Sequence, residues 1–120
     1  MSSSQDKSRQ FEERTQDFAL EIILFTKKVP KSVENEVIVK QLIRSSSSVG
    51  ANYVEANNAS SKQDFRNKIF IAKKEAAESR YWLQLLSKAN SSLDVANLID
   101  ESSQLLFILQ KIVSTLKNGK

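Results

Sequence analysis

The chain contains very few residues that interrupt helices. Two glycines and one proline occur in 120 residues, and these are the residue types that most disfavour a helix interior. Long uninterrupted helices are therefore the expectation wherever apolar residues recur with helical spacing. With 40% hydrophobic residues, a chain of this size can bury a core as one domain, residues 1–120.

The serine-rich stretch RSSSSVGAN, Arg44 to Asn52, is the hardest case for that expectation, because its composition suits a linker. Apolar or small residues nevertheless keep heptad-like spacing through it, which a linker has no reason to do. The stripe consists of Val39, Leu42, Ser46, Val49, Tyr53 and Ala56. We predict a helix here, at a cost of roughly 0.5–1 kcal/mol per Ser or Gly relative to Ala. Close packing against a neighbour must offset this cost.

Turn residues and candidate caps divide the chain into four periodic segments. Helices are predicted at about 9–29, 33–58, 62–89 and 93–117, after a disordered tail at 1–8. Ser32 is a candidate N-cap, and the pairs Ser61–Asp64 and Ser91–Asp94 resemble capping boxes. Because the connections are short, consecutive helices must run antiparallel. The predicted fold is an all-α, up-down-up-down antiparallel four-helix bundle.

The chain has no cysteine and no histidine. This composition excludes disulfides, thiolate metal ligands and imidazole bases. We therefore expect no enzymatic activity, no cofactor and no small-molecule substrate. No apolar run approaches the roughly 20 residues of a membrane span, and the N-terminal residues lack the apolar region of a signal peptide. We expect a cytoplasmic protein without membrane contact.

A carboxylate metal site is the weakest alternative. Glu55, Glu75 and Glu78 are similar to the carboxylates of di-iron bundles, but those bundles use Glu-x-x-His pairs. Here the residue three places after Glu75 is Glu78, and no histidine exists. We expect no metal, and we interpret Glu75 and Glu78 as partners of Arg or Lys across a helix interface.

A polar column follows the second predicted helix at spacings of four, four and three. Its members are Arg44, Ser48, Asn52 and Glu55. Two interpretations stay open: a solvated face, or a hydrogen-bonded seam against another helix or subunit. In the seam, the planar guanidinium of Arg44 would meet Glu75 or Glu78. Together with the small side chains beside it, this column predicts that the second helix packs in a homo-oligomer.

A basic column occupies one side of the third predicted helix. Its members are Lys62, Arg66, Lys73 and Arg80. Residues 40–80 hold eight basic and four acidic side chains, so the whole net charge of +4 can be assigned to them. Such a column suits the phosphate backbone of RNA or DNA, which it would contact without reading bases. The alternative is a solvated face.

Two segments resemble a known family. LIRSSSSVGANYVEA, residues 42–56, and DFRNKIFIAKKEAAESRYWLQLL, residues 64–86, resemble the four-helix-bundle family named for proteins encoded in intervening sequences of bacterial 23S ribosomal RNA genes. The resemblance covers Phe18 to Ala89. It implies an antiparallel bundle that assembles into a ring, commonly a homopentamer, with no known enzymatic activity. Ribosomal RNA association is only suggested within the family.

A related branch of this family comprises the accessory proteins of diversity-generating retroelements, which are more basic and bind nucleic acid and a reverse transcriptase. We expect a homo-oligomeric protein of the 23S rRNA-intervening-sequence type, structural or adaptor in role, with itself as partner and RNA or DNA as a second one. The alternative is a nucleic-acid-binding accessory protein that resembles the retroelement factor.

Overall fold

Four helices make up the fold. A computed structural model describes residues 3–118, with α1 at Ser4–Thr26, α2 at Val33–Asn57, α3 at Lys62–Ala89 and α4 at Ala96–Asn118. No strand occurs between residues 3 and 118. Over the same residues, no helix is both long and apolar enough to cross a membrane. The predicted all-α four-helix bundle is confirmed.

Side chains that meet across the α2–α3 interface give the direction of the two helices. Asn35, near the start of α2, exchanges amide hydrogen bonds of 2.9 Å with Asn90 just after α3. At the other end, Glu55 pairs with Lys68 near the start of α3. The beginning of each helix therefore meets the end of the other, as an antiparallel pair requires. This interface is the most extensive in the bundle, followed by α3–α4 and α1–α2.

An ion pair between Arg14 and Glu101 joins the first and last helices. The guanidinium of Arg14 donates to both carboxylate oxygens of Glu101, at 2.8 and 2.9 Å, and to the amide oxygen of Gln104 at 2.9 Å. The hydrogen bond to Glu101 raises the pKa of Arg14 above its ordinary value. Since α1 and α4 touch less than the other neighbouring helices, this two-point contact closes the fourth side of the bundle.

The core follows the predicted stripes and includes the serine-rich stretch. Ser45 and Ser46 are buried inside α2 among the apolar residues, and the helix is continuous from Arg44 to Asn52. The predicted helix across this stretch is therefore confirmed. The largest fully buried side chains are Phe18, Ile22, Leu42, Ile69, Leu83, Leu86, Leu105 and Leu109.

The prediction of a disordered tail at residues 1–8 is wrong for residues 4–8. Helix α1 begins at Ser4, because Ser3 and Asp6 form a capping box in which each side chain accepts from the other's backbone N–H, at 3.1 and 3.4 Å. The hydroxyl of Ser8 also bonds that of Tyr53 on α2, at 3.0 Å. Residues 1 and 2 of the predicted tail lie outside the described residues.

Two other predicted limits differ by three residues, and the ends of α2 and α4 differ by one. Helix α1 ends at Thr26, three residues before the predicted limit, although Val29 is still buried against the core. Helix α4 begins at Ala96 instead of about residue 93, because the carboxylate of Asp94 accepts from the backbone N–H of Ala96 at 3.1 Å. Ser91 and Asp94 both precede the helix, so the predicted box between them does not form. Ser32 and Ser61 do cap α2 and α3.

Helix α2 approaches α1 closely at Gly50. A Cβ atom at this position would lie 2.6 Å from the Thr15 hydroxyl oxygen and 3.1 Å from the Thr15 Cβ. Thr15 is fully buried, and its hydroxyl donates to the carbonyl of Glu12 at 2.7 Å. A side chain at Gly50 therefore requires the two helices to separate or Thr15 to leave its position.

Gly50→Ala should destabilise the protein by about 1–3 kcal/mol through overpacking, although alanine favours a helix by about 1 kcal/mol over glycine. Urea unfolding followed by circular dichroism measures the change. In a Thr15→Ala background the penalty should shrink, because the closest atom is gone, while the 3.1 Å approach still crowds the helices. An equal penalty in both backgrounds would show that Thr15 is not the obstacle.

Candidate functional site

The polar column of α2 meets α3 at Arg44. The Arg44 guanidinium donates from Nη1 to Glu75 Oε1 at 3.2 Å and from Nη2 to Glu78 Oε2 in a shorter contact. Its Nε donates to Gln41 Oε1 at 3.1 Å. Glu75 and Glu78 lie on neighbouring positions of one helix face, so a single planar guanidinium reaches both. We name this contact the Arg44 seam.

Glu78 is the most strongly held carboxylate of the Arg44 seam. The indole N–H of Trp82, one turn further along α3, donates to the same Oε2 atom at 2.9 Å. That hydrogen bond, together with Arg44, lowers the pKa of Glu78 below its ordinary value, although partial burial opposes the shift. The hydrogen bond to Glu78 in turn raises the pKa of Arg44. The seam therefore holds one cation against two carboxylates in the half-buried groove between the helices.

Small buried side chains lie beneath the Arg44 seam. The Ser79 hydroxyl oxygen lies 2.9 Å from Ser45 Oγ and 2.9 Å from the carbonyl oxygen of Glu75, so its single proton is shared between these two acceptors. Ser45, Ser79, Ala72 and Ala76 are all fully buried. Slim side chains let two backbones come close, so α2 and α3 pack tightly enough for a short hydroxyl bridge across the core.

The other members of the polar column do not join the Arg44 seam. Asn52 donates from its amide to the Ser48 carbonyl at 2.8 Å, within α2. Glu55 pairs with Lys68 at 2.9 Å instead. The three glutamates considered for a metal site are thus divided between two cations. Residues 3–118 contain no group of three or more ligating side chains suited to a metal ion.

The basic column lies on the flank of α3 that faces α4. Arg80 donates to the hydroxyl of Ser103 on α4 at 3.2 Å, and Arg66 donates to Gln63 at 3.4 Å. Within the described part of the chain, none of Lys62, Arg66, Lys73 and Arg80 forms a salt bridge. The cations on the other flank, Arg44 and Lys68, are both paired.

The outer face of α1 and α2 carries a groove with a floor of small residues. The groove has a volume of about 680 Å³. Small or apolar residues of its lining are Ala19, Ser47, Gly50, Ala51 and Val54, and the polar and charged ones are Arg9, Glu12, Glu13, Thr15, Gln16 and Glu55. Beside it, α1 exposes an apolar ridge of Leu20, Ile23 and Leu24, of which Leu20 is 52% exposed. We name this surface the α1–α2 face.

Sequence reasoning missed several of these contacts. The amide pair of buried Asn35 and half-buried Asn90 joins the start of one helix to the end of another. No sequence pattern indicates it, because the two residues meet only in the folded bundle. Lys68 lies four residues after Asp64, so its pairing with Glu55 could not be separated from a local pair on the same helix face. The Arg14–Glu101 pair joins the two helices furthest apart in sequence.

The helices and the Arg44 seam define an antiparallel four-helix-bundle protein. The family model of the 23S rRNA-intervening sequence protein matches residues 7–111, and the chain belongs to this family. It is similar to a crystal structure from Bacteroides thetaiotaomicron, described as a protein with unknown function from the S23 ribosomal protein family. The two are 33% identical with a TM-score of 0.81, over 91% of this chain and 99% of that one. No curated protein matches the chain.

Acid should weaken the protein partly through Glu78. Because the folded state lowers the pKa of Glu78, its ionisation stabilises the fold above the unfolded pKa, about 4.3. That contribution is lost as the pH falls through the lowered folded pKa. Between about pH 5 and pH 3, the free energy of unfolding should therefore fall more steeply in the native protein than in Glu78→Gln.

Urea unfolding across this pH range measures the two slopes. Glu13→Gln is the matched control, because Glu13 is an exposed carboxylate of α1 outside the Arg44 seam. Its slope should stay near that of the native protein. Identical slopes for all three proteins would contradict a stabilising role for the Glu78 carboxylate.

Proposed function

We propose that the chain is a non-enzymatic adaptor protein that assembles into a homo-oligomer, a pentamer, and contacts RNA or DNA in the cytoplasm. The exposed α1–α2 face carries the first part of the proposal. The unpaired basic column supports the second part. The absence of histidine and cysteine from the sequence supports a non-enzymatic role.

The α1–α2 face has the form of a helix-binding surface. Leu20 and Leu24 are 52% and 50% exposed, and they lie one turn apart beside the floor formed by Ala19, Gly50 and Ala51. Contiguous exposed apolar surface on a folded protein is typical of an interaction site. A groove with small residues on its floor accepts a ridge from another helix at close range. We infer that a second copy of the chain fills this groove.

The burial of Ser45 and the pairing of Arg44 change which part of α2 is available for self-association. The residues from Arg44 to Glu55 that face α3 are engaged within one chain. Ser47 and Ala51 remain exposed on the opposite flank and line the groove. The small-residue surface of α2 thus stays the proposed interface, whereas its polar column does not.

The basic column supports contact with an anionic polymer. Arg66, Lys73 and Arg80 follow one another at seven-residue spacing, which spans about 21 Å along α3. They lack carboxylate partners within the described residues. A row of unpaired cations of this length matches the repeating charge of a phosphate backbone. The same observation favours the second candidate function, a nucleic-acid-binding accessory protein like the retroelement factor.

The proposed assembly predicts a specific loss of self-association. The native protein should sediment as five copies of the 13.6 kDa chain, and Leu20→Glu/Leu24→Glu should sediment as a monomer. Two buried charges at an interface are costly to desolvate, whereas exposed positions on the free monomer tolerate them. Sedimentation equilibrium over a hundredfold range of concentration provides the measurement.

The matched control is Tyr81→Glu/Phe107→Glu, which places two charges at exposed apolar positions on α3 and α4. It should keep the native mass. A native protein that stays monomeric at every concentration would refute the assembly. If only the control variant sediments with a lower mass, the interface lies on α3 and α4 instead.

The basic column predicts salt-dependent binding of nucleic acid. Contact with about four phosphates should weaken affinity roughly five- to tenfold for each doubling of salt. Arg66→Glu/Lys73→Glu/Arg80→Glu should abolish binding of a labelled 20-nucleotide RNA in fluorescence anisotropy, with circular dichroism confirming the helical fold.

A second triple variant, Lys27→Glu/Lys28→Glu/Lys31→Glu, alters the net charge by the same amount. It does so at exposed positions of the α1–α2 connection. Binding should survive in this control. Equal losses of RNA affinity in both triple variants would show that binding depends only on net charge. Unchanged affinity in Arg66→Glu/Lys73→Glu/Arg80→Glu would show that the basic column is only a solvated face.

A further inference from the structure

The outer face of α3 exposes aromatic rings in a single stripe. Phe70, Lys74, Ala77 and Tyr81 recur at spacings of four, three and four, which places them on one side of the helix. Phe70 is 38% exposed and Tyr81 is 55% exposed. The opposite side of α3 carries its buried residues, so these two rings are turned away from the core.

The stripe continues onto α4 across a shallow groove. Phe70, Lys73, Lys74 and Ala77 line this groove, which has a volume of about 430 Å³, and Leu106 of α4 completes it. The next residue of α4, Phe107, is 62% exposed, more than any other aromatic ring among the exposed large side chains of the described region. We name this surface, from Phe70 to Tyr81 on α3 with Phe107 on α4, the α3–α4 face.

Positive charge surrounds the α3–α4 face. The Lys111 ammonium lies 5.5 Å from the centre of the Phe107 ring. Lys73 and Lys74 line the groove, and Arg80, on the flank of α3 that faces α4, donates to the Ser103 hydroxyl. In the part of the chain that the structure describes, none of these four cations forms a salt bridge.

The acidic residues of α3 nearest to the α3–α4 face form ion pairs on the opposite flank of the helix. Glu75 and Glu78 turn toward α2, where both bind Arg44. The Arg44 seam therefore removes negative charge from the surroundings of the α3–α4 face. What remains exposed on α3 is a pair of flat apolar rings bordered by cations without salt bridges. On α4, the exposed carboxylate of Asp100 lies seven residues before Phe107 and accepts from the Gln104 amide.

This combination fits one kind of ligand better than others. A duplex presents phosphates but keeps the flat faces of its bases stacked inside. A single strand presents both phosphates and free base faces, and base–aromatic stacking with flanking cations is how sequence-tolerant single-strand binding works. An apolar protein surface would cover the rings but leave the cations without partners.

We propose that the α3–α4 face binds single-stranded nucleic acid, with bases stacked on Phe70, Tyr81 and Phe107 and with phosphates paired to Lys73, Lys74, Arg80 and Lys111. This proposal rests on the proposed contact with nucleic acid and specifies its form. The α3–α4 face adjoins the basic column through Lys73 and Arg80, so the strand would pass from one onto the other.

Fluorescence anisotropy with one 20-nucleotide sequence tests the proposal in three forms: single-stranded RNA, single-stranded DNA and duplex DNA. Either single strand should bind at least fivefold more tightly than the duplex at the same salt concentration. Tyr81→Ala and Phe107→Ala should each weaken single-strand binding about fivefold or more. Because no charge changes, the slope of affinity against salt should stay the same. Lys73→Gln/Lys74→Gln should instead reduce that slope.

Two controls separate stacking from general surface change. Tyr81→Phe keeps the ring and should keep native affinity. Val37→Ala removes a comparably exposed apolar side chain from α2, outside the lining of the α1–α2 groove and outside the α3–α4 face, and should have no effect on binding.

The outcomes distinguish this proposal from the one it rests on. Equal affinity for single strand and duplex, or no effect of the alanine variants, overturns the stacking proposal while leaving charge-based binding intact. No binding to any of the three forms overturns both. If Phe70→Ala/Tyr81→Ala/Phe107→Ala lowers the sedimenting mass and leaves nucleic-acid affinity unchanged, the face belongs to a second copy of the chain and the proposal fails.

Discussion

The close approach of α2 to both of its neighbours is the constraint on which the bundle depends. On one flank, Gly50 leaves no space for a Cβ beside Thr15 of α1. On the other, Ser45 bonds Ser79 of α3 across the core. Serine and glycine weaken an isolated helix by roughly 0.5–1 kcal/mol each relative to alanine. The packing that their small size permits must offset that cost, so this helix is stable only inside the bundle.

That packing also determines where the charges of the protein are exposed. Once α2 lies against α3, Arg44 reaches two carboxylates and Lys68 reaches Glu55. The ion pairs lie on the flank of α3 that faces α2. The basic column, which forms no ion pair among the described residues, lies on the flank that faces α4. A net charge of only +4 is thus compatible with a local basic surface, because Glu75 and Glu78 of α3 bind Arg44 on the opposite flank. Total charge alone would underestimate the local potential of this surface.

The fold could be predicted from the sequence because the spacing of apolar residues is a local property. This spacing stays helical even through residues that disfavour a helix. Spacing from Val39 to Ala56 identified α2 despite four consecutive serines. Apolar spacing did not predict the first residues of α1, because the Ser3–Asp6 capping box extends this helix beyond its last core contact. It also left the α3–α4 face unrecognised. Phe70 and Tyr81 become distinguishable from core aromatics only when α2 and α4 are in place around α3.

The two exposed faces lie on opposite sides of the bundle. In a four-helix arrangement in which each helix touches its sequence neighbours and α1 touches α4, the outer surface of the α1–α2 edge is directed away from that of the α3–α4 edge. If copies of the chain associate through the first face, as proposed above, the second face would stay free on every copy. A single strand could then contact several α3–α4 faces at once, and each further contact would be intramolecular. Self-association and nucleic-acid contact would reinforce one another, since modest affinity at each face becomes strong only in the assembly.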